Sequence, residues 1–152
     1  MPPASVRSWT QQSLRRYKTD RMWNINANIV AADVLSTVAT ALVIEALQAQ
    51  LPTPFTIVTV TAAIDGAISF AAFACLHTWV NRDRGMKDLA RVQVHRWVLS
   101  PLHYLVGIGI QYALLASGVR RAGVGVLVAY WSALAVVRTL HTRYGKRSGL
   151  FH

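Results

Sequence analysis

Val34-Leu35-Ser36 returns 64 residues later as Val98-Leu99-Ser100, and Leu76-His77-Thr78 returns at the same offset as Leu140-His141-Thr142. No gap separates the two matches. Single positions fall in the same register, among them Val30 with Val94, Ile44 with Ile108, Ala49 with Ala113 and Gly85 with Gly149. Apolar chains produce chance Val and Ala pairs, but two ungapped triplets carrying Ser and His are stronger evidence. The pattern reads as a duplicated helical hairpin.

Four apolar runs surround these triplets, roughly Ile25 to Leu47, Phe55 to Val80, Trp97 to Ser117 and Ala122 to His141. Each is near the ~20 residues a helix needs to cross the hydrocarbon core. Hydrophobic residues make up 53% of the 152 and charged residues only 14%, which is too apolar for an ordinary soluble domain. The expected fold is all-α: an integral membrane four-helix bundle made of two tandem parallel helical hairpins. Residues 1–24 form a cytoplasmic amphipathic segment, 25–80 the first hairpin, 81–96 a cytoplasmic connector, 97–141 the second hairpin and 142–152 a basic tail.

The net charge of +10 would point to nucleic acid in a soluble protein, so its distribution matters more than its size. Arg7, Arg15, Arg16, Lys18 and Arg21 precede the first run, and Arg82, Arg84, Lys87, Arg91 and Arg96 lie between the second and third. Arg138, Arg143, Lys146 and Arg147 close the chain, leaving Arg120 and Arg121 for the other side. Fourteen of sixteen basic residues on one side place both termini in the cytoplasm by the positive-inside rule, in a multi-pass protein of the inner (plasma) membrane. Anionic headgroups then account for the charge, and no nucleic-acid partner is expected. Val6, Trp9, Leu14 and Tyr17 sit near helical spacing among Arg and Gln, which suits a helix in the headgroup layer. Met86, Leu89 and Val92 suit the same placement before the third run. The single cysteine, Cys75, forms no intrachain disulfide.

Ionisable side chains at membrane depth cost about 2.5 to 3.5 kcal/mol each, so each needs a partner, a wet cavity or a function. Asp33, His103 and Arg138 all fall in the cytoplasmic third, with the repeated His77 and His141 just below. Together they are expected to line a polar vestibule for an anionic headgroup, with Asp33 orienting Arg138. A plain structural Asp33–Arg138 pair, with histidines that snorkel to the interface, is the alternative. Asp65 lies mid-span with no basic residue at its depth. It is expected either to take part in proton coupling or to bond, as a neutral acid, to Thr61 or Ser69 on its own helix. Glu45 is expected to be solvated at the outer end.

No HxxxH or HExxH spacing occurs, and His95 and His103 are too far apart along one helix to share a metal, so no metal site is expected. No cofactor is expected either. Haem b between His77 and His141 is the alternative, since the repeat gives those two a common depth. No Ser/His/Asp set, phosphate loop or paired carboxylate points to an enzyme.

The segments Leu76-His77-Thr78-Trp79-Val80-Asn81-Arg82 and Leu140-His141-Thr142-Arg143-Tyr144, followed by Phe151, close each half in a polar or basic helix end. With four short spans, this resembles the GtrA-like family of small membrane proteins. That resemblance implies flipping of polyprenol-linked sugars. The expected function is a small membrane transporter or flippase for a lipid-linked anionic substrate, with Arg138, His77, His141, His103 and Asp33 binding it. A structural or haem-bearing subunit of a larger complex is the alternative. Membrane lipids, anionic or polyprenyl-linked, are the expected partners, with a homodimer or larger complex as the protein assembly.

Overall fold

The computed structural model describes residues 4–82 and 85–147, with side chains for all of these except 4–9, 85, 99, 141 and 144–146. The described residues form helices and short turns, with no strand among them. Helix α1 covers Ala4–Thr19 and α2 Arg21–Leu47. A 3-10 turn at Gln48–Gln50 leads to α3, Pro54–Val80; α4 follows at Gly85–Ala116 and α5 at Ala122–Arg147.

Local chemistry sets these boundaries. Asp20 caps α2 by accepting from the Trp23 N–H at 3.1 Å. Thr53 caps α3 through the Thr56 N–H at 3.1 Å, with Pro54 in the first turn where its missing donor costs nothing. Helix α4 ends in a Schellman turn: Val119 N–H reaches Leu114 O and Gly118 N–H reaches Leu115 O. Gly118 sits at φ +94°, a conformation a side chain would strain.

Helices α2, α3 and α5 are long and apolar enough to cross a membrane. In α4 the halves 86–98 and 100–116 meet at a 46° bend. Pro101 lies in that helix; it has no N–H for the Trp97 carbonyl and its ring crowds that carbonyl, which accounts for the bend. Three or four such helices are compatible with a multi-pass membrane protein. The connector expected at 81–96 is helical from Gly85 onward, so α4 starts well before Trp97. Val92 is fully buried and Leu89 packs beside it, while Met86 is exposed. The headgroup placement expected for this trio therefore fits Met86 only.

Helix α2 packs mainly on α3 and α5, and α4 on α5 and α3, with α1 laid against α2. The buried face of α3 runs Val58, Thr61, Asp65, Ser69, Phe73 and His77, at steps of three and four. Its exposed side carries Phe55, Phe70 and Trp79. Polar side chains thus face inward and bulky apolar ones outward, the arrangement suited to a hydrocarbon surround. Two apolar clusters fill the interior. Ile25, Ile29, Ala32, Phe73 and Val92 pack near the α1 end; Ala41, Ile44, Val126, Ala129 and Tyr130 pack near the opposite end. The polar layer lies between them.

Candidate functional site

Asp33 and Ser36 on α2 and Asp65 and Ser69 on α3 meet at one level, because both pairs are spaced so as to share a helix face. Ser36 Oγ donates to Asp65 Oδ1 at 2.9 Å, and Ser69 Oγ donates to Asp33 Oδ1 at 2.7 Å. The two carboxylates are therefore each served by a hydroxyl from the other's helix. Asp65 is only 2% exposed. Its partner is Ser36 rather than the expected Thr61 or Ser69. Thr61 instead donates to the Ile57 carbonyl at 2.7 Å and accepts from Gln111 of α4 at 3.0 Å.

From α4, Arg96 Nη2 donates to Asp33 Oδ1 at 3.1 Å and to Ser69 Oγ at 2.9 Å. Its guanidinium lies 4.4 Å from the centre of the Phe73 ring, a stabilising cation–π contact at a desolvated site. Asp33 therefore pairs with Arg96, and the expected Asp33–Arg138 pair does not form. The reason is the early start of α4: Arg96 is already in the helix and turned inward, whereas a connector residue would have reached the headgroups.

Arg138 of α5 shares a cavity of about 60 Å³ with Asp33, Asp65 and Arg96. Ser100, His103 and Tyr104 of α4 complete its polar wall, and Ile29, Leu134 and Val137 its apolar one. At ~15 Å³ per water, the space accepts about four water-sized groups. His103 makes edge contacts with Tyr104 and Tyr130, at 5.4 and 5.6 Å between ring centres. Three expected residues, Asp33, His103 and Arg138, are thus brought together, along with Asp65. Arg138 Nη1 is buried with no hydrogen-bond partner, as is Tyr130 Oη. A second groove on the outer surface, lined by Trp23, Asn26, Ala27 and Val30, also ends on Arg138. Arg138 is the wall common to the polar chamber and this largely apolar groove.

His77 lies elsewhere. It is 2% exposed, with Nε2 3.0 Å from Asp88 Oδ2 and Nδ1 3.3 Å from Asn81 Nδ2. Arg21 is hydrogen-bonded to the other Asp88 oxygen. With both ring nitrogens engaged, His77 would have to give up one of these bonds to ligate haem iron. It does not snorkel, because the first turn of α4 covers the end of α3. His141 belongs to α5, but its side chain lies outside the described residues.

Asn24 and Asn28, four apart and so on one face of α2, are buried beside this network. Asn28 Nδ2 donates to Asn24 Oδ1 at 3.2 Å, Asn81 Nδ2 donates to Asn24 Oδ1 at 3.0 Å, and Tyr17 Oη donates to Asn28 Oδ1 at 2.7 Å. Burial pushes the Tyr17 phenol above its ordinary pKa. These bonds fasten α1 to the end of α2. At the opposite end Glu45, expected to be solvated, accepts from Arg121 Nε at 2.8 Å and from the Gly123 N–H at 2.9 Å. Its carboxylate faces the positive end of α5.

The sequence reading missed Arg96, Ser36, Ser69 and Tyr104 as members of the site. Arg96 was hidden among connector charges. The serines carried a signal, being polar residues one turn from Asp33 and Asp65 in otherwise apolar runs. Among the described residues no group of three His, Cys, Asp or Glu side chains is placed to hold a metal ion. Comparison with protein-family models, with curated proteins and with solved structures gives no match.

Proposed function

We propose that this chain is a small membrane transporter or flippase for a lipid-linked anionic substrate. In this reading its long helices cross the membrane as two tandem parallel hairpins, α2 with α3 and α4 with α5. The closeness of each pair and the short turn joining it support that arrangement. The basic bias puts the α1 end in the cytoplasm.

The observation that carries the reading is the buried, unpartnered Nη1 of Arg138 at the junction of chamber and groove. A buried charged donor without an acceptor is costly, and an anion supplies the missing acceptor. The headgroup enters between α2 and α5 and meets Arg138, while the chain stays in the groove beside Trp23, Ala27 and Val30. Asp33 neutralises Arg96, so the free guanidinium is the one at the entrance. The test is reconstitution in vesicles containing a fluorescent polyprenyl phosphate, with bleaching from outside to follow exchange between leaflets. Arg138→Ala should abolish exchange while the variant keeps its helical content. Exchange at the unaltered rate would overturn the reading.

A further inference from the structure

Asp33, Asp65, Arg96, Arg138 and His103 are the groups in the chamber whose charge decides what it can hold. Asp33 and Arg96 cancel across their 3.1 Å contact. Arg138 has no carboxylate within salt-bridge distance among the described residues. With His103 neutral, the chamber is therefore electrically neutral when Asp65 is ionised and carries one positive charge when Asp65 is protonated.

The surroundings of Asp65 make this balance sensitive. From α2 it is faced by Ser36 and Thr37 and by the negative charge of Asp33. From α4 come Arg96, already held by Asp33, with His103 and the Tyr104 hydroxyl, 3.5 Å from Asp65 Oδ2. Helix α5 contributes Arg138 and the buried Tyr130; Ser69 on its own helix is committed to Asp33. No cation is paired with Asp65 in the described structure, so a proton is the available neutraliser.

We propose that the chamber takes up a monoanionic phosphodiester group together with one proton, the proton residing on Asp65. The inference rests on the chamber being an anion site. A phosphodiester keeps a single charge over the working pH range and matches the single net positive charge of the protonated chamber; a pyrophosphate would leave charge uncompensated. Its two free oxygens suit the Arg138 guanidinium, and the cavity accepts a group of that size. Protonation of Asp65 removes a negative charge facing the incoming anion. By linkage the anion raises the proton affinity of Asp65 by the same factor, on the order of 10- to 100-fold for unit charges in a poorly screened interior. The proton comes from bulk water through the same opening and leaves when the anion leaves, so no bond other than O–H forms or breaks.

The experiment is calorimetric titration of the purified full chain in detergent with short-chain phosphatidylglycerol, and separately with water-soluble glycerophosphoglycerol, across pH and in buffers of different ionisation heat. Affinity should be highest at low pH and fall by about 10- to 100-fold in total as Asp65 loses its proton, then level off, with proton uptake on binding that rises towards, and stays below, one per anion within that range. Asp65→Asn should bind with no pH slope and no proton uptake, while His103→Gln should keep the slope. Binding of the lipid alone identifies a headgroup as the source, and binding of both probes a free phosphodiester. Binding that depends on Arg138 but is flat with pH, or a slope lost in His103→Gln and kept in Asp65→Asn, overturns the coupling and leaves the anion site standing. Binding unaltered by Arg138→Ala, or no binding of either probe at any pH, overturns both.

Discussion

Arg96 Nη2 lies 3.1 Å from Asp33 Oδ1, joining α4 to α2, although each of those helices packs mainly on α3 and α5. The pair is mostly buried, and its charges are held further by Ser69 and the Phe73 ring. A buried pair contributes little net stability against an apolar replacement. Removing one partner, however, strands the other charge.

Asp33→Asn and Arg96→Gln should therefore each lower stability by about 3 kcal/mol, and the double variant should lose clearly less than the sum. Denaturant unfolding of the detergent-solubilised protein measures all three. Additive losses would show that the two residues act independently.

The apolar character of α2, α3 and α5 was readable from hydropathy, because length and composition alone decide whether a helix can span; the bent α4 meets that condition only when its two halves count as one span. The level of Asp33, His103 and Arg138 was readable too, since depth follows from position along a run. Pairing was not, because it depends on where each helix begins. Treating 81–96 as a connector removed Arg96 from the interior and left Arg138 as the sole cation for Asp33. Asn24 and Asn28 were legible in principle, because their four-residue spacing puts them on one face of α2.

Close packing at the far end of the bundle makes two neighbouring glycines unequal. A Cβ on Gly123 would lie 2.6 Å from the Ala41 carbonyl oxygen and 2.9 Å from Glu45 Oε2, and backbone cannot move aside cheaply. On Gly125 the nearest atom would be Gln111 Cγ at an ordinary 3.7 Å. Gly123→Ala should destabilise by about 2 kcal/mol, whereas Gly125→Ala should be neutral or gain up to about 1 kcal/mol of helix propensity. Thermal unfolding in one detergent ranks them, and equal effects would contradict the α2–α5 contact.

Asp88 holds both Arg21 and His77, tying the starts of α2 and α4 to the end of α3. Asp88→Asn removes the negative charge and should loosen this junction, so that the backbone at the already exposed Arg82 opens to trypsin more often. Cleavage after Arg82 should accelerate roughly tenfold, the effect of ~1.4 kcal/mol on a local opening equilibrium. An unchanged digestion rate would mean that the asparagine network of Asn24, Asn28 and Asn81 suffices by itself.

Orientation rests on charge, and the structure sharpens the contrast between the two ends. At the far end Arg121 is bonded to Glu45 at 2.8 Å, which holds its guanidinium above the ordinary pKa but offsets its charge. That leaves Arg120 as the uncompensated cation between α4 and α5. Arg15, Arg16, Lys18, Arg82 and Lys87 at the α1 end form no ion pair with a carboxylate among the described residues. Positive charge near a span end resists translocation. A reporter active only outside the cytoplasm should therefore be active when inserted at residues 118–123 and inactive when fused after His152. Replacing Arg120 should leave that pattern unchanged. The reverse pattern would put the Arg138 entrance on the outer face, and with it the side from which an anionic lipid must arrive.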